Sequence, residues 1–561
     1  MILHSLSMRK TSLGMLLLSC LMVLVIMLSA CGGTATPTSH KQSPLTIVGN
    51  TNGDFTRVFN PYNPNYNIGA QGMIYETLLY FNRLDGSIKP WLASSYSVST
   101  DATVETFHLR PGVKWSDGQL LTSDDVVFTF NLLKKYPAMD TNGIWQSLKS
   151  VTATDPSTVV VTLNTSFSPL LWYVAGQTYI LSKHQWSQVK GDASNYADPN
   201  PIGTGPYILK TFTPQLYTLA KNPNFWQPGK PEVNQLNFPA YNSNTSAELA
   251  LDRGKVDWAG LFVPNLQQTF VSRDPAHNHY WFPSSDMVLL FLNTAKYPFN
   301  LLPVRQAISY AIDRQKLYKI GESGYEPVAS PTGLVLPENK SYLSPDYANT
   351  SFTLDPNKSV QLLQSAGFTR GSDGIFADKN GKKLSFTINV VEGWTDWITD
   401  CQIMASDFKA VGINVTVNTM SQDAWYNAMQ MGNYSTSMLW TNPGPTPYFI
   451  YDGLLRSTNT APIGQQANSN MERWNDPTTD KLLNQFATST DPTVQKNAII
   501  GLQKIMVEQL PSIPLTNEPY WNEYTTTHFT GWPDASNPYA VPSNLNAPDC
   551  EIVLLNLHPV G

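Results

Sequence analysis

The chain has 561 residues, of which 42% are hydrophobic, 11% aromatic and only 14% charged, and its net charge at pH 7 is −6. The length predicts two or three domains, and the aromatic content excludes a disordered chain. Because the charge balance is acidic and no basic tract exceeds a few residues, we expect no nucleic-acid partner.

The amino-terminal segment has the pattern of an export signal. Arg9 and Lys10 precede an almost wholly apolar run over residues 13–28, which is shorter than the about 20 residues that usually span a membrane. A positive start, a short apolar core and small residues before a cleavage site are typical of a signal peptide. We therefore predict a signal over residues 1–30, with an uncleaved membrane anchor helix as the alternative.

The residues at the end of this run predict how the mature chain is held. Leu28-Ser29-Ala30-Cys31 is similar to the lipobox of bacterial lipoproteins, in which the peptidase cuts before the cysteine and the sulfur carries diacylglycerol. Two acyl chains are the number that stable anchoring requires. We predict lipidation at Cys31, a flexible tether over residues 31–44, and a location on the outer face of the bacterial cytoplasmic membrane.

After the tether, strand and helix patterns alternate along the chain. In the first part of the chain they predict a strand at 45–48, a helix leading into a strand over 73–81, a strand at 106–109, a helix N-capped by Thr122 or Ser123 and a hairpin over 150–164. In the middle they predict a strand at the end of 198–212, a helix running into a strand over 246–260, and helices over 303–320 and 359–368. Towards the end they predict a hairpin over 375–391, a helix over 397–410, a strand over 413–420 and two helices, the second of which ends at Pro511.

This alternation predicts α/β lobes. Two segments, 288–294 and 512–521, are candidates for crossings between lobes. Two crossings mean that the ends of the chain build one lobe and the middle builds another, an arrangement that permits hinge closure around a ligand.

Two cysteines remain beyond the signal and Cys31. An exported protein could join Cys401 and Cys550 in a disulfide. The sequence does not bring them together, so we expect two isolated buried thiols, with the disulfide as the alternative.

Local motifs for catalysis are missing: the sequence lacks HExxH, CxxC, GxSxG and a phosphate loop ending in GK[ST]. The spacing of His277 and His279 is more typical of an exposed loop than of a metal site. Residues 378–382 resemble the start of a calcium loop but lack its remaining acidic ligands, which favours a hairpin turn. We predict no catalytic residue, no metal site and no cofactor, with an enzyme as the alternative.

Several segments resemble one family, the extracytoplasmic solute-binding proteins of ABC importers in the oligopeptide/dipeptide-binding group, solute-binding family 5. The most specific segment is FHLRPGVKWSDGQLLTSDDVVFTF. One departure is Leu302-Pro303, where members commonly carry a polar residue. Supporting segments occur in the family's order at 89–99, 201–207, 250–258, 291–314 and 362–368.

The resemblance implies a two-lobed α/β fold of the periplasmic-binding-protein kind, with an extra domain inserted in the first lobe and a hinged ligand cleft. It implies partners as well, namely the permease and ATPase subunits of an ABC importer, and we expect the binding protein to be monomeric. Trp115, Asp117 and Gly118 are implied to hold a turn rather than a ligand. The implied boundaries are lobe I over 45–85, 201–290 and 516–561, the inserted domain over 86–200, and lobe II over 291–515.

The segment after Trp440 bears on the ligand. Peptide-binding members place an aspartate shortly after the corresponding tryptophan, where it pairs with the peptide's amino terminus, because a buried unpaired ammonium is costly. Here Thr441, Asn442, Pro443 and Gly444 follow, and none is acidic. Asn442 offers hydrogen bonds to a neutral ligand, and the run GPTPYFIY resembles the oligosaccharide-binding branch of the family.

We therefore predict capture of a neutral oligosaccharide, in preference to a peptide, for transport across the membrane. A peptide-specific binding protein is the first alternative, with an acid such as Asp54, Asp257 or Asp396 reaching the amino terminus. A ligand sensor or an enzyme on the cell surface is the second. Sugars stack on aromatic rings and their hydroxyls seek amides, although each ring could belong to the core instead. The residues expected at the ligand are Trp394, Trp397, Trp440, Asn442, Tyr448 and Trp521.

Overall fold

The computed structural model describes residues 42–51, 53–441, 444–467 and 469–560. The chain divides into two units, residues 1–43 and 44–561, and all of the strands and helices described belong to the larger unit. The predicted signal peptide, Cys31 and Asn442 lie outside the described residues.

The strands are short, and they follow one another in the alternating order that the sequence predicts. In chain order they are β1 (Leu45–Thr46), β2 (Leu79–Phe81), β3 (Ile88–Pro90), β4 (Ala93–Val98), β5 (Val104–Leu109), β6 (Leu148–Asp155), β7 (Thr158–Leu163), β8 (Tyr207–Thr213), β9 (Leu216–Lys221), β10 (Gln235–Pro239), β11 (Trp258–Ala259), β12 (Asn278–Tyr280), β13 (Val288–Leu292), β14 (Thr369–Arg370), β15 (Phe376–Ala377), β16 (Ser385–Val391), β17 (Asn414–Met420), β18 (Thr436–Trp440), β19 (Ile513–Thr516), β20 (Glu523–Thr525), β21 (Phe529–Thr530) and β22 (His558–Pro559).

Side-chain caps fix many of the helix starts. Thr122 is the N-cap of the first helix, as predicted, and its N–H donates to Asp125 Oδ2 at 2.9 Å. The α-helices are α1 (Ser123–Lys135), α2 (Lys183–Trp186), α3 (Asn244–Asp252), α4 (Leu266–Thr269), α5 (Leu302–Ala311), α6 (Arg314–Lys316), α7 (Pro356–Ser365), α8 (Thr395–Ala410), α9 (Gln422–Gln430), α10 (Tyr448–Leu455), α11 (Pro477–Ala487), α12 (Pro492–Gln509) and α13 (Asp549–Asn556).

Two four-stranded sheets are built mainly from the first half of the chain. A mixed sheet has the order β1-β10-β9-β8, with β1 parallel to β10. An antiparallel sheet has the order β4-β5-β7-β6. Because the antiparallel sheet lies in sequence between β1 and β8, it is an insertion into the part of the fold that carries the mixed sheet.

The middle of the chain forms a five-stranded sheet of order β17-β16-β18-β13-β19, and a three-stranded sheet has the order β11-β20-β12. The chain passes from the three-stranded to the five-stranded sheet through residues 281–287 and returns through 517–522. These two linkers run side by side: Ser285 N donates to Glu518 O at 2.7 Å, and Tyr520 N donates to Pro283 O at 2.8 Å. The fold is α/β, and paired linkers are the geometry of a hinge.

The loop before β8 requires glycine at two positions. A Cβ on Gly203 would lie 1.8 Å from Ile74 O, and one on Gly205 would lie 2.4 Å from Met73 O. Both distances are inside van der Waals contact, so only glycine lets the loop pack against residues 73–74. The two glycines therefore have a structural role.

Two predicted helices are wrong in part. Residues 73–78 are a turn, a β-bridge at Tyr75 and irregular chain rather than a helix, because Gly205 N and Tyr207 N donate to the carbonyl oxygens of Ile74 and Met73. The predicted helix over 303–320 breaks after Ala311, since Asp313 caps a new start by accepting from Lys316 N.

The two cysteines behave as the sequence favours. Cys401 and Cys550 are both buried and neither is in a disulfide. Cys401 packs in the core with its sulfur 3.4 Å from Met438 Sδ, and burial raises the pKa of both thiols.

Candidate ligand-binding site

Three parallel strands of the five-stranded sheet end at one edge. β16 pairs in parallel with β17 and with β18, so their carboxyl ends and the segments after them lie together. In open α/β sheets this edge is where ligands bind. Trp394 and Trp397 follow β16, Trp425 follows β17, and Trp440 is the last residue of β18.

These four residues form one cluster, which we call the four-tryptophan cluster. The ring centroids of Trp394 and Trp397 lie 5.1 Å apart with their planes at 88°. Trp440 is 5.6 Å from Trp394 and 5.8 Å from Trp425, at interplanar angles of 38° and 37°. Such tilted and edge contacts are favourable between aromatic rings. The structure therefore brings together three of the predicted site residues.

The cluster has buried and accessible members. Trp425 is 1% exposed and donates from Nε1 to Ser437 Oγ at 2.9 Å, and Trp397 is 4% exposed. Trp394 and Trp440 are half-buried. The two buried rings hold the other two in place, and these offer ring surface to a ligand. Sequence reasoning missed Trp425; its place shortly after β17, one of the three parallel strands, is the signal that could have found it.

A cavity of ≈280 Å³ borders the cluster. Trp425 and Trp440 form one side of it. The remaining lining is a mixture of an amide, a phenol and apolar side chains: Gln422, Tyr426, Leu439 and Met471.

Trp521 lies in a different aromatic cluster. Its ring is 5.0 Å from that of Phe282, 5.6 Å from that of Phe262 and 6.0 Å from that of Tyr325. Trp521 is half-buried and belongs to the second linker. This predicted residue is thus placed at the hinge rather than beside the other tryptophans.

Tyr448 is packed within the protein. It is 1% exposed, and its ring stacks on Phe486 at 4.8 Å. Its hydroxyl donates to Asp452 Oδ1 and accepts from Arg456 Nη2, both at 2.9 Å. These contacts place the Tyr448 ring in the core. A contact between Tyr448 and a ligand stays a prediction.

Acidic side chains gather at the linkers beside the cluster, a feature that the sequence did not reveal. Thr441, which follows Trp440, donates from Oγ1 to Asp286 Oδ1 at 3.1 Å. Burial raises the pKa of Asp286 to about 7, against the lowering effect of the Arg83 guanidinium. Burial also raises the pKa of Glu518, and Asp286 and Asp396 raise it further.

These shifts change what the carboxyls can do. A protonated carboxyl both donates and accepts hydrogen bonds, whereas a carboxylate only accepts. Asp286 and Glu518 therefore offer both kinds of hydrogen bond near neutral pH. Over the described ranges, no group of three or more His, Cys, Asp or Glu side chains has a geometry that could hold a metal ion.

A second set of contacts closes the molecule at a distance from the linkers. Ser168 N donates to Ala487 O at 2.8 Å, and Ser168 Oγ donates to Ser489 O at 3.2 Å. The ring of Phe449 lies 5.5 Å from that of Tyr173. These bonds join the segment after β7 to helices that lie in sequence between β18 and β19.

A family model covers most of the chain. Residues 87–462 match the model described as bacterial extracellular solute-binding proteins, family 5 Middle. In the part of the chain that the structure describes, no helix is long and apolar enough to cross a membrane.

Curated relatives include several binding proteins of bacteria. A nickel-binding periplasmic protein of Escherichia coli is 28% identical over 404 residues, which cover 69% of this chain and 73% of the relative. A heme-binding protein A of Haemophilus influenzae is 25% identical over 484 residues, which cover 81% and 83%. A glutathione-binding protein of Escherichia coli is 26% identical over 450 residues, which cover 77% and 81%.

Solved structures include a similar fold with a sugar bound. A periplasmic oligopeptide-binding protein of an ABC transporter from Thermotoga maritima, in complex with mannohexaose, is 25% identical with a TM-score of 0.83, over 93% of this chain and 99% of that protein. A second structure of the Thermotoga maritima protein is 26% identical with a TM-score of 0.85, over 92% and 99%. The two-lobed fold that the sequence predicts is confirmed.

Proposed function

The chain belongs to family 5 of the bacterial extracellular solute-binding proteins, and from this premise we propose that it captures a neutral oligosaccharide between its lobes and delivers it to the permease of an ABC importer. The lobe boundaries predicted from the sequence, a monomeric state and the absence of a catalytic step are parts of this proposal. Closure about the paired linkers encloses the ligand.

The observation that carries the proposal is the four-tryptophan cluster at the carboxyl edge of the parallel strands. Half-buried Trp394 and Trp440 offer faces for the C–H surfaces of sugar rings, and Gln422 supplies an amide at the adjoining cavity. No acid follows Trp440 where peptide-binding members hold an amino terminus. The mannohexaose complex of the similar Thermotoga maritima protein supports the same ligand class.

A peptide remains the second candidate because of the acids at the linkers. Asp286 accepts from Thr441 and has Arg83 as its neighbouring cation, and its charge acts in turn on Glu518. Ionisation of either carboxyl would provide a partner for a peptide ammonium. A neutral sugar needs no such ionisation, since protonated carboxyls hydrogen-bond hydroxyls.

Replacing Trp440, whose ring is accessible, tests the proposal that the ligand is a sugar. Trp440→Ala is expected to weaken oligosaccharide binding by roughly 1–3 kcal/mol, the scale of burying a large apolar side chain, which is about 5- to 150-fold in Kd. Isothermal titration with the oligosaccharides that raise the melting temperature measures this loss.

Trp145→Ala is the matched control. Trp145 is also half-buried, but its Nε1 donates to Phe130 O at 2.7 Å beside α1, in the inserted segment. Its loss should leave sugar affinity unchanged. An unchanged Kd for Trp440→Ala would reject Trp440 as part of the binding site. A melting temperature that rises with peptides and with no oligosaccharide would reject the proposal that the ligand is a sugar.

The anchoring proposal concerns Cys31, which the sequence places at a lipobox. Lipidation there would hold the protein at the outer face of the membrane beside its permease. The mass of the amino-terminal peptide after detergent extraction tests it: a peptide starting at Cys31 without diacylglycerol would remove the anchor from the proposal.

A further inference from the structure

The cavity beside the four-tryptophan cluster has a wall formed by one face of α9. Gln422 and Tyr426 are four residues apart, so they lie on the same face of this helix. Tyr426 is 42% exposed, whereas its neighbour Trp425 is 1% exposed. The helix thus buries one aromatic ring to support the cluster and leaves the next one accessible at the cavity.

The cavity has the shape and chemistry of a small binding site. Its volume of ≈280 Å³ lies just below the about 300 Å³ at which pockets for drug-sized ligands begin. Leu439 and Met471 are 7% and 5% exposed and supply an apolar base. With Tyr426 as an aromatic wall and Gln422 as a hydrogen-bonding group, the lining matches a single ring that has C–H faces and hydroxyls.

The position of the cavity beside the four-tryptophan cluster indicates which part of a ligand the cavity holds. Trp440 borders the cavity and also contacts Trp394 and Trp397 at 5.6 Å each. A chain of sugar rings stacked on the cluster can therefore continue into the cavity without leaving aromatic surface. The small volume then ends the chain there.

We propose that this cavity is a terminal subsite for one sugar ring, and that Tyr426 and Gln422 are specificity-determining residues for ligand length. The inference rests on the proposed oligosaccharide function. It adds a statement that the function alone does not contain: affinity rises when the ligand is long enough to reach α9.

A length series tests the subsite. Binding of di- to hexasaccharides of one sugar is measured by isothermal titration for the full protein and for Tyr426→Ala. The longest ligand that binds should lose roughly tenfold in affinity, as one aromatic contact of about 1.4 kcal/mol would give, while the shortest should be unchanged. Gln422→Ala should show the same length dependence with a smaller loss.

Tyr297→Ala is the matched control, because Tyr297 is 43% exposed and stacks on Phe368 in another part of the molecule. Tyr426→Phe, which keeps the ring, should bind like the native protein. Unchanged affinity of Tyr426→Ala for the shortest ligand shows that its loss for longer ligands does not reflect misfolding. An equal loss at every length, or no loss at any length, overturns the subsite while oligosaccharide binding stands. Failure of every oligosaccharide to bind the native protein overturns the proposed function and the subsite together.

Discussion

At the scale of single residues, the pair Glu76 and Glu551 shows that the core buries two carboxyl groups for which ionisation is unfavourable. Both side chains are 0% exposed, and three of their four carboxylate oxygens lack a hydrogen-bond partner among the described residues. Trp226 Nε1 donates to the remaining oxygen, Glu76 Oε1, at 2.9 Å. Burial raises the pKa of both groups, and for Glu551 the charge of Glu76 raises it further.

The pair predicts how stability depends on pH. Carboxyls with a raised pKa in the folded state hold protons that the unfolded chain has lost, so the free energy of unfolding falls as pH rises above about 4.3, the ordinary pKa of Glu. Glu551→Gln, which cannot ionise, should therefore raise the melting temperature relative to the native protein, increasingly so from pH 5 to pH 8. Thermal unfolding by circular dichroism at several pH values measures the difference.

Glu232→Gln is the control for this series. His558 Nδ1 lies 2.9 Å from Glu232 Oε2, and this contact lowers the pKa of Glu232. A group with a lowered pKa stabilises the fold above its ordinary pKa and loses that effect on acidification. Glu232→Gln should therefore be slightly less stable than the native protein from pH 5 to pH 8, and the difference should disappear below about pH 4.3. A melting temperature for Glu551→Gln at or below that of the native protein at pH 8 would contradict the raised pKa of Glu551 on which the prediction rests.

At the scale of elements, the contact between the segment after β7 and the end of α11 is placed to hold the molecule closed. Ser166 Oγ donates to Thr488 O at 3.3 Å, beside the bonds from Ser168 to Ala487 and Ser489. All acceptors are backbone carbonyls at or just beyond the carboxyl end of a helix, where such groups lack partners within the helix. None of these residues borders the four-tryptophan cluster.

Removing the two hydroxyls is expected to speed ligand release without changing the ligand contacts. Ser166→Ala with Ser168→Ala removes the two hydrogen bonds that these hydroxyls donate and the one that Ser168 Oγ accepts from Gln495 Nε2 at 3.3 Å. None of the three is fully buried, and together they contribute about 1 kcal/mol, or about fivefold in the release rate. Stopped-flow measurement of the change in tryptophan fluorescence gives that rate. Ser94→Ala is the control, since Ser94 Oγ donates to His108 O within the antiparallel sheet; equal release rates for the two variants would deny the contact any role in closure.

Element boundaries mark where sequence reasoning succeeded and where it stopped. The N-cap at Thr122 and the hairpin over 150–164 depend on neighbouring residues, so local patterns predict them. The failure at 73–78 has a tertiary cause: Gly205 and Tyr207 occupy carbonyls that a helix would have used. Likewise, Trp425 joins the site through the parallel pairing of β16, β17 and β18, which no local pattern reveals.

At the scale of the whole molecule, the two linkers 281–287 and 517–522 form a hinge beside the proposed ligand site. Trp521, Asp286 and Glu518 all lie on them, and Thr441 donates to Asp286 from the end of β18. This hydrogen bond joins the hinge to the strand that carries Trp440, at the edge of the proposed ligand site. That the chain crosses twice between the sheets was predictable from the order of strands and helices. The first crossing is at 281–287, however, and not at the predicted 288–294, most of which forms β13. The gathering of acids at the hinge depends on the folded arrangement.

Native mass spectrometry of the protein in one mixture of oligosaccharides and short peptides tests oligosaccharide capture most directly, because it reports the mass of what is bound. We expect a complex with an intact oligosaccharide, and a smaller fraction of that complex when Trp440→Ala is measured under the same conditions. A peptide as the bound species, or an oligosaccharide recovered in shortened form, would contradict the proposed function.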